Sequence, residues 1–248
     1  MSALPLVLLH GWGSHAGVWA DVIARLELGH AVIAPDFPGG GSTASATACT
    51  MDGVVDELAA IAPERCVVAG WSLGGQLALL WAHRHPQQVA RVVLIASTPR
   101  FVSAPDWVHG MAAATLAGFA AELAADPAAT LRRFLLLETR GDAQAHAVVR
   151  RLDAALAARP PADPEVLART LDWLRDTDLR AVLPDIRQAV LVLHGDRDRI
   201  TPPAAAEYLA AHLPQARLVM LSGAAHAPFI SDPDVVCKLM TDFCNELQ

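Results

Sequence analysis

The chain has 248 residues, enough for one large domain with a well-buried core but short for two independent domains. Hydrophobic residues make up 53% of it and charged residues 18%, which argues against an intrinsically disordered protein. The formal net charge of −7 argues against nucleic acid as the main partner, because phosphate binding needs a basic face.

The first apolar run, MSALPLVLLHG, lacks the features of a targeting signal. It has no positively charged region, no cleavage site and too few residues to span a membrane. The four cysteines, Cys49, Cys66, Cys237 and Cys244, form no CxxC pair, so we expect free thiols and no metal site. We therefore expect a cytoplasmic protein without a cofactor and without contact with a membrane.

Short apolar runs alternate with helical patterns through the first hundred residues. The predicted strands are residues 6–9, 31–34, 66–69 and 92–96. The predicted helices are residues 18–26, 51–61 and 73–83. Continuous Val, Ile and Leu runs separated by helices indicate a parallel sheet that is covered on both faces.

The pattern changes between residues 99 and 184, where Ala, Leu and Arg recur at helical spacing with breaks at Pro127, Gly141 and the Pro160-Pro161 pair. Strand and helix patterns then resume. The predicted strands are 189–193 and 217–221, and the predicted helices are 203–213 and 234–247. We predict a single α/β domain formed by residues 1–98 and 185–248, with an inserted helical cap at 99–184 that serves as an active-site lid.

A Gly-x-Ser-x-Gly motif, Gly70-Trp71-Ser72-Leu73-Gly74, lies between a predicted strand and a predicted helix. This pattern is the nucleophile elbow, a sharp turn that lifts a serine hydroxyl clear of the sheet. Small residues flank the serine because a Cβ there would clash with neighbouring backbone. We therefore predict that Ser72 is a nucleophile and that the chain has the α/β-hydrolase fold, with a mostly parallel sheet.

A serine hydroxyl needs a base to remove its proton, and His226 follows the last predicted strand on a loop of small residues. The acid that orients the base should follow a strand between the serine and the histidine, where Asp196 and Asp198 both lie. We predict that Asp198 orients His226, because it lies further into the loop, and that Asp196 caps the turn or pairs with a neighbouring arginine. The order Ser, Asp, His is typical of this fold.

The loop after the first strand, His10-Gly11-Trp12-Gly13, can supply backbone donors to the reaction centre. We predict that the N–H groups of Trp12 and Leu73 hold the oxyanion of a tetrahedral intermediate and that His10 braces the loop. The indoles of Trp12 and Trp71 are expected to line a narrow apolar entrance, although either also fits a plain core position.

With these residues in place, the sequence resembles the pimeloyl-[acyl-carrier protein] methyl ester esterases of biotin synthesis. The resemblance is carried by residues 8–13, 70–75, 133–138, 177–180 and 224–231. The first two segments fit many hydrolases. Trp-Ser-Leu-Gly-Gly combined with Ala-His-Ala-Pro-Phe-Ile-Ser is much more specific.

The resemblance implies that a serine esterase hydrolyses a pimeloyl methyl ester carried on acyl-carrier protein and releases methanol. It implies a set of substrate-binding residues, namely Trp12, Trp71, Ser72, Leu73, Phe134, Leu135, Leu136, Leu137, Glu138 and His226. It further implies that Arg133 and Arg150 contact the acidic carrier. We expect the enzyme to be a monomer.

The sequence departs from the family pattern at several positions. Ala129 and His146 replace basic residues, which predicts a thinner carrier-binding patch, and Glu138 stands where the family more often has a neutral amide. Only nine residues precede His10, so the leading strands usual in this fold are expected to be shortened or missing.

Other functions fit the same residues. A broad short-chain esterase, a carbon–carbon bond hydrolase or a perhydrolase would use the same three catalytic groups, and only the pocket would distinguish them. A non-catalytic binding protein on this scaffold would usually lack one of the three. A dehalogenase or epoxide hydrolase would need a carboxylate in place of Ser72.

Overall fold

The computed structural model describes residues 3–36, 50–159 and 162–246. Its strands are β1 Leu6–Leu9, β2 Val32–Ile33, β3 Cys66–Trp71, β4 Val89–Ile95, β5 Ala189–Gly195 and β6 Ala216–Leu221. They form one sheet in the order β2-β1-β3-β4-β5-β6, and every neighbouring pair is parallel. The predicted α/β fold with a parallel sheet is confirmed.

Ten α-helices cover the sheet and its carboxyl edge in the described part of the chain. They are α1 Ala20–Leu26, α2 Met51–Ile61, α3 Leu73–Arg84, α4 Ala113–Ala125, α5 Pro127–Glu138, α6 Ala145–Ala157, α7 Pro164–Asp176, α8 Pro203–His212, α9 Pro228–Ser231 and α10 Pro233–Asn245. The predicted helix at 18–26 begins with a 3₁₀ turn, Ala16–Trp19. The short helix α9 was not predicted.

The two faces of the sheet carry separate hydrophobic clusters, because successive residues of a strand point to opposite sides. Leu8, Ala69 and Ile95 pack with α1 and α10 on one face. Leu9, Val68 and Leu94 pack with α2, α3 and α8 on the other. The strands at the centre are buried on both faces, which explains their continuous apolar sequences.

Helices α4 to α7 fall within the predicted cap segment. Pro127, predicted as a break, is the first residue of α5, and Asp126 caps that helix by accepting a 2.9 Å hydrogen bond from Ala129 N–H. The break predicted at Pro160-Pro161 and the thiol of Cys49 lie outside the described residues. The cap contacts loops at the carboxyl ends of β1 and β6, where ligands bind in open parallel sheets.

The described residues carry neither a membrane-spanning helix nor a cluster of metal-ligating side chains. None of their helices is both long enough and apolar enough to cross a membrane. Across the same residues, no three His, Cys, Asp or Glu side chains are grouped so that they could hold a metal ion.

Candidate active site

Ser72 occupies the turn between β3 and α3 with φ +55° and ψ −117°. A residue with a side chain rarely adopts positive φ, and such strain persists only where the surroundings enforce it. Here the N–H of Ser72 donates to Ile95 O at 2.9 Å, and the hydroxyl of Ser97 donates to Ser72 O at 2.8 Å. The turn is therefore held from β4 and from the loop that follows it.

Two glycines of the motif are required by close backbone contacts. A Cβ built on Gly70 would lie 2.1 Å from Gly74 O, and one built on Gly74 would lie 2.3 Å from Leu9 O. Both oxygens are backbone atoms, which cannot shift as easily as the end of a flexible side chain. These contacts give the physical reason for the Gly-x-Ser-x-Gly spacing.

Three side chains from separate loops meet at this turn. His226 Nε2 lies 3.0 Å from Ser72 Oγ, and His226 Nδ1 lies 2.7 Å from Asp198 Oδ2. All three residues are buried, with 7% of Ser72 exposed and 0% of His226. The structure thus brings together the three residues that the sequence predicts for nucleophile, base and acid, in an arrangement able to transfer a proton from the hydroxyl to the imidazole.

Asp198 is held as an anion by several donors. Its Oδ1 accepts from the N–H groups of Ile200 at 2.8 Å and Thr201 at 3.0 Å. Burial alone would raise the pKa of this carboxyl, but the charge and hydrogen bond of His226 and the backbone hydrogen bond from Thr201 hold it below its ordinary value. Asp198 therefore stays ionised at neutral pH and can stabilise an imidazolium.

The other candidate carboxylate, Asp196, has a different neighbour. Its Oδ1 accepts a 2.8 Å hydrogen bond from Gly223 N–H, which places it at the base of the His226 loop. Asp196 thus fastens the loop backbone, as expected for a residue that caps a turn.

Two further polar residues at the site escaped the sequence analysis. The Thr201 hydroxyl lies 2.8 Å from Asp198 Oδ2, 3.1 Å from Ala96 O and 3.4 Å from His226 Nδ1. His194 Nε2 lies 2.8 Å from Thr201 O, and burial lowers the pKa of this imidazole, so it stays neutral. A threonine three residues after a buried aspartate is a recognisable turn pattern that could have indicated Thr201.

The two predicted oxyanion donors, Trp12 and Leu73, lie on the loop after β1 and directly after Ser72. Leu73 is the first residue of α3, where backbone N–H groups have no acceptor within the helix. None of the described residues accepts a backbone hydrogen bond from the N–H of Trp12. The Trp12 indole donates to Leu167 O at 3.1 Å and packs edge-on against Phe134, so the cap fixes the position of this loop.

His10 lies at the start of the same loop and contacts its backbone. Its Nδ1 lies 2.9 Å from Gly11 O, and burial lowers the pKa of its imidazole to about 4. His10 is therefore neutral at physiological pH. This arrangement fits the predicted bracing role.

A cavity of about 310 Å³ lies beside the site between α5, α6 and the Trp12 loop. Its lining includes the predicted residues Trp12, Trp71, Phe134, Leu135 and Glu138. The indole N–H of Trp71 donates to His226 O at 2.8 Å, which joins the wall of the cavity to the base. The lining is mostly apolar and suits an acyl chain.

Leu136 and Leu137, predicted as substrate-binding residues from the resemblance, are not among the residues that line this cavity. Their side chains are 56% and 40% exposed. On α5, the helical period turns residues 134, 135 and 138 inward and leaves 136 and 137 facing solvent. Arg133 and Arg150 are also exposed, and Arg133 forms an ion pair with Glu122.

Glu138 is the one acidic residue among the predicted pocket residues. Its side chain is buried, and its main-chain oxygen accepts a 3.0 Å hydrogen bond from His226 N–H. Burial, together with the charge of Asp198, raises the pKa of this carboxyl well above 4.5. A protonated Glu138 is uncharged, like the neutral amide that the family more often has at this position.

The fold and this site define an α/β hydrolase. A sequence profile of the α/β hydrolase fold matches residues 5–233, and the chain belongs to that family. It is 45% identical to the pimeloyl-[acyl-carrier protein] methyl ester esterase of Aromatoleum aromaticum, over 98% of each chain. It is 41% identical to the protein of the same name from Nitrosomonas europaea, over 92% of this chain and 91% of that one. The resemblance found in the sequence is confirmed.

Solved structures share the architecture. An esterase from Exiguobacterium antarcticum superposes with a TM-score of 0.89 at 22% identity, covering 99% of this chain and 93% of that one. A bromoperoxidase from Bacillus anthracis also gives a TM-score of 0.89, at 20% identity, with the same coverage. At these identities the match supports the fold alone.

Proposed function

We propose that the protein is a carboxylester hydrolase in which Ser72, His226 and Asp198 act as nucleophile, base and orienting acid. The observation that carries this proposal is the pair of contacts made by one imidazole, 3.0 Å to Ser72 Oγ and 2.7 Å to Asp198 Oδ2. A non-catalytic binding role is disfavoured, because a binding protein has no need to keep all three groups in hydrogen-bonding contact.

The first half of the reaction forms an acyl-enzyme. Ser72 Oγ attacks the ester carbonyl while His226 Nε2 takes its proton, and the carbonyl oxygen becomes an oxyanion held by the N–H groups of Trp12 and Leu73. The imidazolium, stabilised by Asp198, then gives the proton to the departing alkoxide. An alcohol leaves, and the acyl group remains on Ser72.

The second half repeats these steps with water. His226 removes a proton from a water molecule as that water attacks the acyl carbonyl, and the proton then passes to Ser72 Oγ. The products are a free carboxylic acid, ionised at neutral pH, and the regenerated serine. The anionic product is costly to keep in an apolar cavity, which favours its release.

For the substrate we propose pimeloyl-[acyl-carrier protein] methyl ester, with methanol as the leaving alcohol, in biotin synthesis. Support comes from the names of relatives 34–45% identical over nearly the whole chain. It also comes from the apolar cavity, which suits a chain whose far end is blocked as an ester. The carrier would dock on the exposed face of the cap that bears Arg133 and Arg150. We propose a cytoplasmic monomer.

The test is methanol release from pimeloyl methyl ester carried on acyl-carrier protein. Wild type should release one methanol per carrier, and Ser72→Ala should release none while melting at the same temperature. Expression of each protein in a biotin-requiring strain without its own esterase extends the test to cells. Methanol release or rescue by Ser72→Ala would refute the proposal.

A further inference from the structure

The loop that carries His226 is fastened on two sides by different parts of the molecule. Its carbonyl groups face the core, where Ala224 O accepts from Arg197 N–H at 3.0 Å and His226 O accepts from the Trp71 indole at 2.8 Å. Its N–H groups face the cap, where Ala225 N–H donates to Asp142 Oδ2 at 2.9 Å and His226 N–H donates to Glu138 O at 3.0 Å.

Asp142 lies between α5 and α6 and is 8% exposed. Its Oδ2 accepts from Ala225 N–H and also from the Ser231 hydroxyl, at 2.5 Å. Its Oδ1 accepts from Gln144 N–H at 2.7 Å, and the Gln144 amide in turn donates to Ser231 O at 3.1 Å. One buried carboxylate thus joins the chain before His226 to the chain after it.

The loop itself has few side chains that could hold it in place, which gives the Asp142 carboxylate its importance. The neighbours of the histidine, Ala224, Ala225 and Ala227, have no polar side chain that could fix the backbone. The loop backbone packs tightly on the core, where a Cβ built on Gly195 would lie 2.3 Å from Ala224 O and from Ala225 O. The N–H groups of Ala225 and His226 are further points of attachment, and Asp142 and Glu138 in the cap provide their acceptors.

We infer that Asp142 is a positioning residue that holds the His226 imidazole at Ser72 and couples the seating of the cap to the catalytic base. Asp142 acts through Ala225 and Ser231 and touches neither Ser72 nor the imidazole. This inference rests on the proposed function, because it assigns a role toward the proposed base. A displacement of about 1 Å at a reacting group can reduce turnover by about 100-fold.

The test compares Asp142→Asn, Asp142→Ala and Ser231→Ala with a matched control, Asp126→Ala. Asp126 also accepts a backbone N–H in the cap, from Ala129, but it lies at the opposite end of α5 from Glu138. Hydrolysis of p-nitrophenyl butyrate is measured per active site titrated. We expect kcat to fall about 10-fold for Asp142→Asn and about 100-fold for Asp142→Ala, with KM within twofold and the control close to wild type.

A second readout follows the base directly. The proton on His226 Nδ1, hydrogen-bonded to Asp198, should give a downfield proton resonance that shifts or broadens in Asp142→Ala and stays unchanged in Asp126→Ala. If Asp142→Ala does not fold, the kcat and the resonance of Asp142→Asn and Ser231→Ala test the inference instead. An unchanged kcat and an unchanged resonance in folded Asp142 variants would overturn the inference. A wild-type protein without esterase activity would instead refute the proposed function, and the resonance would still test the anchor.

Discussion

The hydroxyl of Thr201 and the imidazole of His226 meet at the same oxygen of Asp198, with Thr201 Oγ1 2.8 Å and His226 Nδ1 2.7 Å from Oδ2. The hydroxyl also lies 3.1 Å from Ala96 O, at the end of β4. Thr201 therefore joins the acid of the proposed triad to the sheet that carries the nucleophile.

Replacing Thr201 with valine keeps the side-chain shape and removes the hydroxyl. A hydrogen bond to a charged group contributes about 1.5–3 kcal/mol, so we expect kcat/KM to fall about tenfold, with a smaller change in KM. Steady-state kinetics with p-nitrophenyl butyrate measures this. Thr201→Ser restores the hydroxyl and should recover most of the activity, and equal losses in both variants would contradict the role of the hydroxyl.

Substitutions of the two carboxylates in the loop after β5 should differ sharply in their effect on kcat. Asp198→Asn leaves the imidazole without an anion at Nδ1 and should lower kcat by about 10⁴. Asp196→Asn retains an oxygen that can accept from Gly223 N–H and should lower kcat less than about fivefold, since one neutral hydrogen bond contributes about 1 kcal/mol. If the two variants show the opposite order in kcat, the assignment of the acid is wrong.

Glu138→Gln should change stability in a pH-dependent way. The raised pKa means that the folded protein keeps a proton that the unfolded chain releases above pH 4.5, so the stability of wild type falls as pH rises from the unfolded pKa through the folded one. The amide removes this loss. Thermal unfolding should show matched midpoints near pH 4 and a higher midpoint for the variant at pH 8. An equal difference in melting temperature between wild type and variant at both pH values would contradict the raised pKa of Glu138.

Arg133 and Arg150 are expected to bind the carrier protein and not the ester group. Arg133→Glu combined with Arg150→Glu should raise KM for pimeloyl-[acyl-carrier protein] methyl ester about tenfold or more and leave KM for p-nitrophenyl butyrate unchanged. Arg217→Glu, an exposed substitution on β6, is the matched control. Equal effects on both substrates would argue against a docking role for these arginines.

The sequence predicts the sheet and the nucleophile turn well, because both depend on local patterns. Buried parallel strands have continuous apolar runs, and the turn at Ser72 needs glycine at fixed positions. The order of Ser72, Asp198 and His226 along the chain sufficed to select residues that the fold brings into contact.

Features set by three-dimensional contacts escaped the sequence. Leu136 and Leu137 were assigned to the pocket because the resemblance carries over the whole segment 134–138, yet the period of α5 turns them to solvent. Asp142 lies 83 residues before its partner Ala225, and no local pattern records that hydrogen bond. Such long-range contacts become visible only when the cap is packed on the loop.

Covalent labelling tests the central claim most directly. A fluorophosphonate reacts with a serine only when a neighbouring base activates it, so peptide mass spectrometry should find the adduct on the peptide that contains Ser72. Labelling should be lost in His226→Ala, whose nucleophile turn is intact. Labelling of another residue, or labelling of Ser72 at the same rate without His226, would contradict the assignment of Ser72 and His226 as nucleophile and base.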